Sequence, residues 1–191
     1  MSSASMQTAQ THPRIQELMA YLELHRRELH EAVASVPAHL REIRPGDGRW
    51  SVAEVVEHLA LIEQRIAKML TMHVAAARAS GVGPDVETSS VVDSYPKPGD
   101  ATDRSTKIQA PAPGRPSGAL DAVAGTQALA QSRASLTSAL LDANGVSLEN
   151  LMQAHPVFGP LNMYHWMVFT ALHDSRHAAQ IREIGESLAA S

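Results

Sequence analysis

Four stretches of the chain repeat apolar residues at the 3.6-residue period of a helix, and none shows the alternation of a half-buried strand. The first runs from Pro13 or Arg14 to Val36, with Ile15, Leu18, Met19, Leu22, Leu29 and Val33 as its apolar stripe. Proline suits a first helical turn, because the N–H it lacks would be unpaired there. His25 and Arg26 interrupt the stripe at mid-helix, one on each edge. Such a break marks either side chains that snorkel outward or the wall of a polar cavity. The second helix starts at Ser51, where Ser-x-x-Glu with Glu54 makes a capping box and Trp50 precedes it as a staple. It continues to about Ser80, with Val55, His58, Leu59, Ile62, Ile66, Met69, Leu70 and His73 on one face. The third, about Ala119 to Ala143, is alanine-rich and weakly amphipathic, and Asn144-Gly145 stops it. The fourth is residues 161–188, which hold no Pro or Gly until Gly185.

The connections are unequal. Residues 37–49 form a loop broken by Pro45, Gly46 and Gly48. Residues 81–118 carry six of the eleven prolines and five of the eleven glycines. A connection this long implies a functional loop or a crossover, and it is long enough for the helices it joins to run parallel. Within it QAPAPGRPSG is expected to be extended. A short helical turn is expected at 147–152, followed by HPVFGP as a rigid entry loop to the last helix. The pattern predicts an all-α fold, a four-helix bundle with a long Pro/Gly-rich crossover between helices 2 and 3. Residues 1–12 read as a disordered lead-in and 13–191 as a single domain.

Composition narrows the functions. The chain has 191 residues, 44% of them hydrophobic and only 4% aromatic, which suits helices packed through aliphatic side chains. A net charge of −4 offers no basic stripe, so no nucleic-acid partner is expected. There is no cysteine, which excludes disulfides, a cysteine nucleophile and thiolate ligands. No apolar run approaches membrane-spanning length, and the polar N-terminus is not expected to act as a signal peptide. Cytoplasm is the expected compartment.

The chemistry lies in the last helix. At 100° per residue Trp166, Phe169, His173, His177, Gln180, Ile184 and Leu188 share one arc. His173 and His177, at i and i+4, stand on adjacent turns of it, close enough to grip one cation together. His58 lies on the inward face of the second helix. His73 shares that face but lies 15 residues on, some 22 Å along the axis, so it cannot join His58 at one ion. Three neutral imidazoles suit Zn, Ni, Co, Mn or Fe and leave positions open for water or substrate. The competing reading is that the histidines fill polar gaps in the core.

WSVAEVVEHL at Trp50–Leu59 and HDSRHAAQI at His173–Ile181 resemble the two signature stretches of the DinB-like superfamily, bacterial four-helix-bundle proteins. The resemblance runs from about Arg14 to Glu186. It implies one divalent transition metal, Zn or Ni first, held by His58, His173 and His177. It also implies a long crossover between the second and third helices, and a homodimer. Related proteins include thiol-dependent S-transferases and a mycothiol-dependent maleylpyruvate isomerase. The DNA polymerases that share the DinB label have a different fold, and no polymerase activity follows.

The expected activity is therefore that of a metal-dependent enzyme acting on a small-molecule substrate, a thiol transferase or a hydrolase. Without cysteine, any low-molecular-weight thiol must come from outside. The alternative is a metal-binding module without catalysis, for sensing, storage or scaffolding. His25, Arg26, Gln180 and Trp166 are candidates for lining the pocket. Helices one and two should be antiparallel, which sets His25 and Arg26 at nearly the height of His58, so one of the two is expected to face the open metal position. Glu54 is explained by its cap and Asp174 by an exposed helix face. His12, His30, His39, His155 and His165 are expected at the surface, in caps or in loops.

Overall fold

The structure, a computed structural model, describes residues 10–96, 104–105 and 110–190. It contains four long helices, α1 (Pro13–Ser35), α2 (Val52–Ala79), α3 (Ala122–Asp142) and α4 (Met163–Ala189), within a few residues of the expected bounds. Each start is capped by a side chain that accepts a free backbone N–H: His12, Ser51, Asp121 and Asn162. At Ser51 the capping box is complete, with Glu54 returning to the Ser51 N–H at 2.9 Å. Of the expected lead-in, residues 1–9 lie outside the described residues, while the His12 N–H donates to Asn144 at the far end of α3.

Side-chain pairs set the helix directions. Arg14 sits over the Tyr164 ring, and Glu28 meets Arg182, so α1 and α4 run parallel. Ser132 donates to Glu63 and Arg78 pairs with Asp142, so α2 and α3 run parallel as well. The short loop between α1 and α2 reverses direction, so the two pairs oppose each other. Residues 97–103 and 106–109 of the connection between α2 and α3 lie outside the described residues. Its first part is pinned by Arg14, which bonds Asp85 at 2.9 Å and Ser89 at 2.8 Å. Its return leg is not fully extended: Ala112–Gly114 form a 3₁₀ turn, because Pro111 and Pro113 hold φ near helical values and the Gly114 N–H reaches the Pro111 carbonyl.

The core is split into two apolar clusters. One gathers Leu18, Leu22, Leu70, Leu136, Leu140, Met163 and Met167; the other Leu29, Val55, Val56, Leu59, Leu129, Ile181 and Ile184. Between them lies a polar layer to which every helix contributes. Arg26 of α1 donates to Asp174 of α4 at 2.9 Å and to Glu63 of α2 at 3.0 Å. Arg133 of α3 pairs with the same two carboxylates. Two guanidinium groups and two carboxylates balance, which is the condition for burying such groups. This layer explains the break in the α1 stripe. Arg26 is only 4% exposed, so it does not snorkel outward. Asp174, expected on an exposed face, is 2% exposed for the same reason: its negative charge has two cations to meet.

A second correction concerns the approach to α4. Residues 152–155 and 159–162 form an antiparallel two-stranded hairpin, β1 (Met152–His155) and β2 (Gly159–Asn162), where a loop was expected. Residues 147–151 are a turn closed from Leu151 to Leu148, not a helical one, and α4 begins at Met163 rather than 161. Strands of four residues are too short to show alternation. Gly159, at φ +74°, allows the tight return. His155 sits inside this turn, where its Nδ1 accepts the Val157 and Phe158 N–H groups, both at 3.1 Å. It is buried against Phe158, Trp166 and Phe169, so of the expected surface, cap or loop roles it takes that of a buried turn cap.

Candidate metal centre

His58, seven residues and about two turns after the Ser51 cap, points from α2 toward α4. There it meets His173 and His177, which share a face because four residues make about one turn. The ring centroids of His58 lie 5.3 Å from His173 and 4.9 Å from His177. The Nε2 atoms of His173 and His177 are 3.1 Å apart. One nitrogen from each of the three residues lies within 4.8 Å of the other two. Ligands on a tetrahedral ion at 2.0–2.1 Å stand roughly 3.3 Å from one another, so the cluster needs only a small contraction to hold one.

The environment keeps the rings neutral. Burial pushes His58 below the usual histidine range despite its bond to the Gly114 carbonyl. Burial pushes His173 and His177 well below it, and the neighbouring imidazoles add to the effect. Neutral imidazole is the ligating form, so protons do not compete for the site at pH 7. The donor set of three nitrogens fits a borderline transition metal rather than Ca or Mg.

Outside the triad each ring has support. The His58 Nδ1 stands 2.5 Å from the Gly114 carbonyl oxygen, and the return leg that carries Gly114 is anchored by Glu57. That carboxylate accepts from the Ser117 N–H at 2.8 Å, the Ser117 hydroxyl at 2.6 Å and the Gly118 N–H at 3.1 Å. The His177 Nδ1 stands 2.8 Å from Gln180 Oε1. Arg104 donates to the same oxygen at 3.4 Å and is held by Glu183 at 2.7 Å. Phe169 stacks on His173 at 5.3 Å, and Trp50 tilts against His58 at 5.0 Å.

The other candidates are spread around this centre. Gln180 touches the triad directly. Trp166 reaches it through Phe169, with its indole N–H donating to the Gln153 carbonyl at 3.1 Å. Arg26 is engaged by Glu63 and Asp174 in the polar layer. His25 packs against Tyr21 and holds the Ser175 hydroxyl at 2.5 Å. His73 pairs loosely with Gln153 at 3.4 Å, away from the triad. Sequence reasoning missed Gly114, Glu57 and Arg104. Their roles depend on where a long connection returns, which no local pattern encodes.

Among the described residues, no helix is long and apolar enough to cross a membrane. Over 148 residues the chain is 31% identical to "Uncharacterized protein YuaE" of Bacillus subtilis (strain 168), an alignment covering 76% of this chain and 83% of that protein. No solved structure matches. A family model described as the DinB superfamily matches residues 9–181. The match covers α1 to α3, α4 as far as Ile181 and all three histidines, and the chain belongs to the DinB superfamily.

Proposed function

We propose that this protein binds one divalent transition metal, Zn or Ni first, through His58, His173 and His177, and uses it to activate a small-molecule thiol or water. The observation that carries the reading is the convergence of three neutral, largely buried imidazole nitrogens within 4.8 Å. When bound, such an ion supplies Lewis-acid chemistry and lowers the pKa of a thiol or water that shares its shell. The chain's own residues supply the rest. The three rings would hold the ion, and Trp50 and Phe169 pack against the His58 and His173 rings. The thiol is external, because the chain has no cysteine. The activity is that of a transferase or a hydrolase on a small-molecule substrate. The reading treats residues 13–191 as one domain, the 81–118 segment as a crossover, and the active form as a cytoplasmic homodimer.

A non-catalytic metal-binding module is the second reading. It is favoured by one observation: His58 and His177 are only 4% and 7% exposed, so little of the ligand set meets solvent. Cobalt(II)-loaded protein separates the two. Under the first reading, titration with a small thiol adds a sulfur-to-cobalt charge-transfer band, or a chromogenic hydrolase substrate turns over. A cobalt spectrum indifferent to thiols, with no turnover across ester, amide and electrophile panels, contradicts catalysis and leaves the module.

A further inference from the structure

Two of the three triad rings meet oxygen acceptors on the side away from their partners. The Gly114 oxygen is a backbone carbonyl and can only accept, so the His58 Nδ1 facing it carries the hydrogen. For Gln180 the amide could in principle present either end. Arg104 decides it: a guanidinium only donates, and it points at the same atom as the His177 Nδ1. The oxygen therefore faces His177, and the His177 Nδ1 carries its hydrogen too. Both rings then hold a bare Nε2, and in His177 that atom is the one turned toward the triad, 3.1 Å from the His173 Nε2.

Each arrangement has a carboxylate behind it. Glu57, the residue before His58, accepts three hydrogen bonds from Ser117 and Gly118 and so seats the leg that bears Gly114. Glu183 grips Arg104 through both of its oxygens, at 2.8 and 2.7 Å, and Arg104 donates to Gln180. The connection between α2 and α3 thus meets His58 directly through Gly114 and reaches His177 through Arg104 and Gln180. A Cβ at Gly114 would lie 2.6 Å from the flexible tip of Ile62, which would have to shift.

We infer that Gln180 and the Gly114 carbonyl are positioning groups of the centre: they fix His177 and His58 as Nδ1–H tautomers, so that bare Nε2 atoms converge on one ion. The inference rests on the metal reading above, but half of it can be read without metal. Outer partners of this kind, donated to by the second ring nitrogen, tune metal affinity by about 10–100-fold elsewhere.

The test uses the full chain. Long-range ¹⁵N–¹H spectra of the metal-free protein report each histidine tautomer, and Zn²⁺ competition against a chromophoric chelator reports affinity. In the wild type both His58 and His177 should be Nδ1–H. Gln180→Leu should turn His177 into a tautomer mixture and weaken Zn²⁺ by about 10–100-fold. Gln180→Glu keeps an acceptor, so it should keep the tautomer and bind within about threefold of wild type, which also separates the effect from misfolding. An Nε2–H His177 in the wild type, an unchanged Gln180→Leu, or a Gln180→Glu as weak as Gln180→Leu would each overturn the inference. Wild-type protein that takes up no Zn²⁺ would refute the metal reading instead, and the tautomers would still decide whether Gln180 and Gly114 orient the rings.

Discussion

His173 and His177 face each other through their Nε2 atoms at 3.1 Å, one helical turn apart on α4. That spacing is close to the edge of a zinc-sized tetrahedron, roughly 3.3 Å. An i, i+4 pair on a helix can reach this distance only if both rings turn to the same side, and the third ring, from α2, closes the set. His177→Ala should therefore abolish stoichiometric metal binding while leaving the helical circular dichroism intact. His73→Ala should bind metal as the wild type does, because His73 meets Gln153 and not the triad. Equal loss in both folded variants would show that the ligands lie elsewhere.

The polar layer predicts a large stability effect without a ligand role. Arg26→Met leaves Glu63 and Asp174 sharing only Arg133 in a buried setting. Removing one partner of a buried charge pair costs about 3–5 kcal/mol, most of it from the charge left uncompensated. Urea denaturation should show a lower midpoint with an unchanged slope. A midpoint shift worth less than about 1 kcal/mol would mean that the layer is as weak as surface ion pairs are.

A smaller effect is expected at the start of α2. Ser51→Ala removes the acceptor for the Glu54 N–H, bonded at 3.2 Å. The expected loss is about 1 kcal/mol, read in the same denaturation assay.

Acid should destabilise the fold through His155. Burial holds its imidazole down to about 4, against the usual histidine value of about 6.5. Between these values the unfolded chain binds the proton and the folded chain does not, so stability rises with pH there. The contribution is complete above about 6.5 and is lost as pH falls toward 4. His155→Asn retains an acceptor near the Val157 and Phe158 N–H groups but cannot titrate in this range. Its stability should be flatter between pH 6.5 and 4 than that of the wild type; an identical slope would assign the acid sensitivity to other groups.

Much of this arrangement was legible in the residues. The helices declared themselves through period and caps, as at Ser51 and Glu54. The inward arcs singled out His58, His173 and His177 because imidazoles on apolar faces stand out. What stayed hidden depended on pairing between distant residues. Glu63, Arg133 and Asp174 each look like solvated helix charges in isolation, and only their meeting with Arg26 makes burial tolerable. The hairpin at 152–162 was invisible because Pro160 and Gly159 read as loop, and the strands are short. Gly114 gained its role from the path of the returning chain, with a carbonyl that any residue would possess.

Whether the three histidines hold an ion is decided by the metal content of tag-free protein, purified from metal-replete cells without chelator and measured by plasma mass spectrometry. The wild type should carry one transition-metal ion per chain, and His58→Ala, His173→Ala and His177→Ala none above background. Folded wild-type protein that carries no transition metal and takes none up from added Zn²⁺ or Ni²⁺ would contradict it.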